Sequence, residues 1–124
     1  MTKACSVSDK AEIYDIGYHD ITPMDVDKNG EMLRPFIVWF GESVPMLEPA
    51  VEVVQKADIL IIIGTSLVVY PAAGLMHYAP KDCKKYLVDP KRPDADLNGI
   101  TFIEQKASVG VKQVVDQILE ENNN

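Results

Sequence analysis

The stretch that decides the fold reads Ala57-Asp-Ile-Leu-Ile-Ile-Ile-Gly-Thr-Ser-Leu-Val-Val-Tyr-Pro-Ala-Ala-Gly74. Within it, the uninterrupted apolar run Ile59–Ile63 predicts a strand buried on both faces of a parallel sheet. Gly64 ends this strand, Thr65 and Ser66 place hydroxyl groups at its carboxyl end, and Pro71 suits the first turn of a helix. Ligands of open α/β sheets bind beyond the carboxyl ends of the strands. The pattern is equally typical of an ordinary βα turn, and no G-x-G-x-x-G or G-x-x-x-x-G-K-[ST] motif decides between the two.

Three further apolar runs predict strands, namely Phe36–Phe40, Tyr86–Val88 and Ile100–Ile103. Between and after them, apolar residues recur at helical spacing and predict three amphipathic helices. Their apolar faces are Ala50, Val53, Val54 and Ala57; Ala72, Leu75, Met76 and Ala79; and Val111, Val114, Val115 and Ile118, with Ser108 as a candidate cap of the last helix. The predicted order β-α-β-α-β-β-α indicates an α/β fold, a parallel sheet flanked by helices.

Composition limits the possible functions. The 124 residues suit one domain, and the net charge of -7 with a pI of about 4.7 argues against nucleic-acid binding, which needs a basic surface. The longest apolar run is too short to span a membrane, and we see no signal peptide, so we expect a cytoplasmic protein. Cys5 and Cys83 lie far apart in the sequence and make no metal-binding spacing, so we expect reduced thiols.

Residues 1–32 are rich in polar and turn-forming residues, and we expect an irregular segment there. Asp25–Glu31 resembles a calcium loop only superficially, because Phe36 stands where the twelfth-position Glu would be needed. A solvated loop ending in an Asn-Gly turn is the better interpretation. His19 and His77 have no carboxylate or cysteine at ligand spacing, which favours structural over catalytic roles.

Taken together, several short motifs resemble the C-terminal half of sirtuins, the NAD-dependent protein lysine deacylases. They are Leu33-Arg-Pro, Val38-Trp-Phe-Gly-Glu42, Ala57-Asp58, Gly64-Thr-Ser-Leu67 and Pro71-Ala-Ala73, and the match runs in order from Leu33 to Ile118. In addition, the opening Thr2-Lys-Ala-Cys5 resembles the segment after the sirtuin His-Gly motif. The resemblance is to a bacterial subgroup without the zinc cysteines. It implies that residues 1–32 are a remnant of the zinc-module region and that 33–124 are the C-terminal half of a Rossmann-like NAD-binding domain.

The resemblance also implies positions for ligands. For an acyl-lysine peptide, Val38 and Phe40 match positions around the acyl-lysine, while Gly41, Glu42 and Val69 match strand edges that pair with the substrate backbone. For NAD, the matching positions are Gly64, Thr65 and Ser66 near the ribose and phosphates, and Ala107 beside the adenine. The family's third-strand Asn, which contacts the adenosine ribose, aligns with Leu87 here, and Asp89 is a candidate substitute.

The departures from the family pattern concern catalysis. One cysteine in the zinc-module region cannot build a four-thiolate site, so we expect no zinc. The family's Gly-Ala-Gly, Gln-Asn-x-Asp and His-Gly motifs are absent from the 124 residues. Two main alternatives follow: the C-terminal half of a sirtuin-like deacylase, inactive alone or completed by a missing N-terminal half, or a non-catalytic nucleotide- or peptide-binding module. An unrelated α/β domain is a third. Because half of a sheet leaves an apolar flank open, we also expect a homo-oligomer.

Overall fold

The computed structural model describes residues 2–122, with Asn122 described by its backbone alone. The chain divides into two units, Met1–Ser43 and Val44–Asn124. This division falls eleven residues after the predicted boundary between segments 1–32 and 33–124, whose end residues Met1, Asn123 and Asn124 lie outside the described part.

The first unit contains a three-stranded antiparallel sheet with the strand order β2-β1-β3. The strands are β1 (Lys3–Ser6), β2 (Ile13–Asp15) and β3 (Leu33–Pro35). The central strand is the best buried, because its small residues Ala4, Cys5 and Ser6 are at most 2% exposed. Two of these strands, β1 and β2, lie within the segment predicted to be irregular. Strands this short, between long polar loops, change the composition of the segment too little to be predicted from it.

The predicted strand Phe36–Phe40 is wrong. The structure places these residues in a bend and loop after β3. Among the bonds described for residues 2–122, the N–H of Phe36 donates to the carbonyl of Lys3 in β1 at 3.1 Å, and the pairing with β1 does not continue beyond it. An apolar run forms a strand only where its backbone groups find a neighbouring strand. Here the N–H of Ile37 instead donates to the carbonyl of Pro35 at 2.8 Å, which turns the chain.

The second unit is an α/β layer with a parallel sheet of strand order β4-β5-β6. Its elements are α1 (Leu47–Val54), β4 (Ile59–Ile63), a 3₁₀ helix (Ala72–Tyr78), β5 (Lys84–Val88), β6 (Ile100–Ile103) and α2 (Ala107–Asn122). The predicted strands 59–63 and 100–103 are confirmed, and the predicted strand 86–88 forms as the longer β5. This sheet, with helices beside it, confirms the α/β fold class.

Three details of the predicted helices differ. The helix after Pro71 is a 3₁₀ helix, and Pro71 occupies its N-cap, following a cis peptide bond from Tyr70. Ser108 lies inside the first turn of α2, not at its cap. Val53 and Val115, assigned to apolar faces, are 71% and 40% exposed. Helical spacing identifies a stripe of residues, but how far each one is covered depends on what packs there.

The core of the second unit lies on both faces of β5. Leu87 contributes to one cluster with Leu67, Ala73, Met76 and Leu97, whereas Tyr86 and Val88 contribute to the other with Ile103 and Val114. This alternation follows from the two-residue period of a strand. In contrast, β4 lies at the edge of the described sheet, and its residues are half-buried or exposed, so the prediction of burial on both faces is wrong for this strand.

Candidate functional site

The carboxyl ends of the three parallel strands meet at one edge of the sheet. Ile63, the last residue of β4, is in register with Val88, the last residue of β5, and Val88 is in register with Ile103 of β6. The N–H of Gly64 donates to the carbonyl of Val88 at 2.9 Å, and the N–H of Asp89 donates to the carbonyl of Ile103 at 3.2 Å. Gly64 and Asp89 therefore follow directly from neighbouring strands at the edge where ligands of α/β proteins bind.

The backbone at Gly64 is open to an approaching ligand. Its φ is +64°, in the left-handed region that favours glycine, and a Cβ atom there would meet nothing within 4 Å. After it, Thr65 accepts a hydrogen bond through Oγ1 from the N–H of Leu67 at 3.1 Å. Leu67 itself has a φ of 56° and is buried, so this bond supports a backbone conformation that a leucine seldom adopts. Ser66, between them, is exposed.

Two other predicted nucleotide-binding residues occupy the same edge. Asp89 is half-buried and accepts a hydrogen bond through Oδ1 from the N–H of Lys91 at 2.8 Å, and within residues 2–122 no protein group donates to its Oδ2. Ala107 is the exposed first residue of α2, four positions after the end of β6. Leu87 is fully buried in the core, so it has no access to a ligand.

The predicted peptide-binding residues of the first unit lie in a loop, which we call the 36–41 loop (Phe36–Gly41). Its apolar side chains are unusually exposed: Val38 by 48%, Trp39 by 56% and Phe40 by 92%. Gly41 has a φ of +85°, which closes the loop as a tight turn. The N–H of Glu42 donates to the carbonyl of Trp39 at 3.1 Å across this turn.

The carboxylate of Glu42 has hydrogen-bond or ion-pair partners at three residues of the first unit. The guanidinium of Arg34 donates to both of its oxygens, at 2.6 and 3.0 Å, and Lys10 pairs with Oε1 at 3.0 Å. The N–H of Trp39 donates to Oε2 at 3.0 Å. The Arg34 hydrogen bonds above all, followed by those from Trp39 and Lys10, hold the pKa of Glu42 far below its ordinary value. We call Lys10, Arg34 and Glu42 the Glu42 cluster.

The Glu42 cluster was not predicted as a unit. Arg34 belongs to the motif Leu33-Arg-Pro, but sequence gives no reason to pair it with a residue eight positions later across a predicted strand. The prediction for Glu42 concerned backbone pairing with a peptide, whereas its side chain is bonded within the protein. Val69 belongs to the second unit, is 52% exposed, and uses its carbonyl to accept the N–H of Ala73.

Metal ligands and histidines add little to this site. Within residues 2–122, no group of three or more His, Cys, Asp or Glu side chains is placed to hold a metal ion. Cys5 and Cys83 are buried free thiols. His19 and His77 are both exposed.

Across residues 2–122, no helix combines the length and apolar character required to cross a membrane.

These features define an α/β protein with a glycine and hydroxyl residues at the carboxyl edge of a parallel sheet, together with an exposed apolar loop. The Sir2 family profile matches residues 1–71. An NAD-dependent protein deacylase from Bacteroides thetaiotaomicron is 46% identical over 120 residues, which cover 92% of this chain and 51% of that protein. The chain belongs to the Sir2 family, and the resemblance to sirtuins is confirmed.

Solved structures agree with this assignment. The structure of a Sir2 homologue in complex with NAD has a TM-score of 0.77 at 27% identity, covering 97% of this chain and 48% of that one. A Sir2 protein bound to an acetylated peptide has a TM-score of 0.64 at 26% identity, covering 98% of this chain and 52% of that one. The chain spans about half the length of the curated relatives it matches.

Proposed function

We propose that this chain is the C-terminal half of the catalytic domain of an NAD-dependent protein lysine deacylase, and that it is inactive as an isolated chain. Its relatives carry the name NAD-dependent protein deacylase. The observation that carries the proposal is the sheet edge at Gly64 and Asp89, where an open glycine, hydroxyl groups and a carboxylate follow adjacent parallel strands. Such an edge suits a nucleotide.

We propose that the residues at this edge bind the adenosine and ribose-phosphate portions of NAD. The open space at Gly64 lets a phosphate approach the backbone, and Thr65 and Ser66 supply hydroxyl groups. Asp89 can accept hydrogen bonds from ribose hydroxyls, and Ala107 is small enough to adjoin an adenine. When bound in a sirtuin, NAD supplies the ribose carbon at which the acyl oxygen attacks as nicotinamide leaves. The fit supports weak binding by this chain.

We propose an acyl-lysine peptide or protein as the substrate, bound in the first unit by the 36–41 loop with Glu42. For the second unit, we propose Val69 as a position that pairs with substrate backbone. A Sir2 relative has been solved with an acetylated peptide. The exposed apolar side chains of Val38 and Phe40 offer a surface for an acyl chain. Backbone pairing adds affinity with little demand on peptide sequence.

The absence of the family's His-Gly and Gly-Ala-Gly motifs from the sequence supports the lack of turnover by the chain alone. A reaction that needs a base to deprotonate a ribose hydroxyl needs a side chain with a suitable pKa within hydrogen-bonding reach of it. The alternative function is a non-catalytic nucleotide- or peptide-binding module, favoured by the same binding residues.

The test has two parts. Calorimetry with ADP-ribose should detect binding by the isolated chain, and an assay of nicotinamide release with NAD and an acetyl-lysine peptide should detect no turnover. We then expect activity once the half of the Bacteroides relative that this chain does not match is added. Turnover by the isolated chain, at about 1 per second or within a few powers of ten below it, would reject the inactive-half proposal. Binding that persists while the mixture stays inactive would favour the non-catalytic module.

We further propose a homo-oligomer in the cytoplasm, without zinc and without nucleic-acid or membrane partners. The support for the oligomer is β4, an edge strand of five apolar residues without a charge or proline to discourage pairing. Light scattering of the wild type and of Ile59→Lys, at a 38% exposed position of β4, at matched concentrations tests it, with a monomeric wild type as the contrary result. Zinc retained in stoichiometric amount after dialysis would overturn the zinc proposal.

A further inference from the structure

The 36–41 loop poses a physical problem. Its apolar side chains are exposed, so burial does not fix its backbone as it fixes the strands of a core. Apolar loops without other restraints sample many conformations, and binding then costs the entropy of ordering them. A loop that binds a ligand efficiently needs restraints of another kind.

The Glu42 cluster supplies such restraints from both ends of the loop. Arg34 lies in β3, the strand that ends where the loop begins, and Glu42 lies immediately after the loop. The guanidinium binds the carboxylate through two nitrogens, and Nη2 also donates to the carbonyl of Ile37 at 3.1 Å. Glu42 in turn accepts the N–H of Trp39. Two backbone positions within the loop are thereby bonded to the same ion pair.

We propose that Arg34 is a positioning residue that, through Glu42, holds the 36–41 loop in the conformation that binds an acylated lysine side chain. The ligand in this proposal rests on the proposed function. Arg34 and Glu42 have side chains only 18% and 22% exposed, so water competes little for their hydrogen bonds. Lys10 is 49% exposed and adds a single contact, so its share is smaller.

The geometry requires arginine rather than a positive charge alone. A planar guanidinium presents several donors in a fixed fork, and here it makes bonds to two carboxylate oxygens and to one carbonyl. A lysine ammonium at position 34 keeps the positive charge. Its single nitrogen cannot make these three hydrogen bonds with the fixed planar geometry of a guanidinium. Arg34→Lys therefore separates positioning from simple charge compensation.

Trp39 provides a readout that does not need a ligand. It is the only tryptophan of the chain. Its backbone N–H makes one of the hydrogen bonds that join the loop to Glu42. We expect Arg34→Lys and Glu42→Gln to change the emission of Trp39 and to increase its quenching by acrylamide. Lys28→Ala is the control, because Lys28 has a 72% exposed side chain and makes an ion pair with Glu12 in the same unit, at 2.8 Å, outside the Glu42 cluster.

A double-mutant comparison tests whether Arg34 acts through Glu42. If it does, the Arg34→Lys/Glu42→Gln variant should change Trp39 quenching about as much as either single variant, because coupled residues are not additive. Additive changes would overturn the coupling. Circular dichroism confirms folding of each variant, and Glu42→Gln, which preserves shape, keeps the test decisive if Arg34→Lys unfolds.

Binding of an acetyl-lysine peptide, with the unacetylated peptide as reference, then tests the ligand. We expect Arg34→Lys to weaken acetyl-lysine binding by roughly tenfold, the order expected for losing hydrogen bonds to a charged group, and Lys28→Ala to leave it unchanged. Unchanged Trp39 quenching in Arg34→Lys and Glu42→Gln would overturn the proposal. A wild-type chain that ignores the acetyl group would overturn the ligand and the proposed function, while the quenching result still decides whether Arg34 holds the loop.

Discussion

A Cβ atom on Gly110 would lie 2.5 Å from Cγ1 of Val88, closer than real contacts allow. It would also approach the Cβ of Gln105 at 3.1 Å and Cγ2 of Ile103 at 3.3 Å. Glycine at this position therefore lets α2 pack closely on β5 and β6, whose carboxyl ends carry the proposed nucleotide site. An alanine side chain would be more favourable than glycine in an isolated helix. At position 110, helix propensity and close packing therefore act in opposite directions.

We expect Gly110→Ala to destabilise the protein. Alanine gains about 1 kcal/mol over glycine in a helix interior. Overpacking a close interface costs about 1–3 kcal/mol, and Val88 is fully buried with little room to move, so the cost should prevail. Urea unfolding of Gly110→Ala checks this, with Val109→Ala, at an exposed position of the same helix, as the control. A higher unfolding midpoint for Gly110→Ala would show that α2 shifts to accept the methyl group.

We also expect Leu87→Asn to destabilise the protein without creating a ribose contact. The family's third-strand Asn aligned with Leu87, but Leu87 is 0% exposed in the middle of the core. An amide buried there without partners costs roughly 1–3 kcal/mol, in addition to the lost apolar contacts. Urea unfolding and ADP-ribose calorimetry on Leu87→Asn test both effects, and Leu119→Ala, at a 56% exposed position, is the control. Tighter ADP-ribose binding by Leu87→Asn would contradict the expectation.

The successes and failures of sequence-based prediction have one physical origin. Runs such as Ile59–Ile63 and Ile100–Ile103 form strands, as predicted, because neighbouring strands satisfy their backbone groups. Phe36–Phe40 has a similar local composition and remains a loop, because among the described residues its pairing with a strand stops at the bond from the N–H of Phe36 to the carbonyl of Lys3. Local composition indicates which segments are able to form a strand, and the presence of a neighbouring strand determines which of them do so.

The site was predicted in the same uneven way. The positions of Gly64 and Asp89 after neighbouring strands were predicted because strand ends can be recognised in the sequence, and parallel strands bring their carboxyl ends together; their contact with a nucleotide stays a prediction. The pair of Arg34 and Glu42 depends on the path of the intervening loop, which no local pattern encodes. The resemblance to sirtuins supplied the motif containing Arg34 but gave it no role.

The low pKa of Glu42 predicts how the 36–41 loop responds to acid. A carboxylate whose pKa is lower in the folded state contributes stability that is present above its ordinary value of 4.5 and is lost as the pH falls towards the folded-state pKa. Arg34, Lys10 and the backbone N–H of Trp39 face this carboxylate. We therefore expect Trp39 emission to stay constant from pH 7 to about pH 4 and to change only at lower pH.

The matched measurement uses Glu42→Gln. Its Trp39 emission should lack the acid transition, because the amide cannot gain a proton in this range. Carboxyl carbon chemical shifts in the wild type would report the titration of Glu42 directly. A midpoint near 4.5 for Glu42 would mean that the ion pair with Arg34 does not persist in solution.

Comparing substitutions at two glycines with similar backbone conformations distinguishes an effect on stability from an effect on nucleotide binding. Gly64 and Gly99 have φ values of +64° and +73°, and a Cβ atom on either would meet nothing within 4 Å. Replacing either by alanine should therefore cost a similar amount, about 1–2 kcal/mol of backbone strain, without a steric clash. Their positions differ, since Gly64 follows the carboxyl end of β4, whereas Gly99 precedes the amino end of β6. In a parallel sheet these are opposite edges.

We accordingly expect Gly64→Ala and Gly99→Ala to lower the urea midpoint by similar amounts, and only Gly64→Ala to weaken ADP-ribose binding. The methyl group at position 64 would occupy the open space through which a phosphate approaches the backbone, and no such ligand is proposed near Gly99. Calorimetry below the unfolding range separates the two effects, because both variants are then folded. Equal losses of affinity would show that binding follows general stability, and unchanged affinity in Gly64→Ala would move the nucleotide away from this edge.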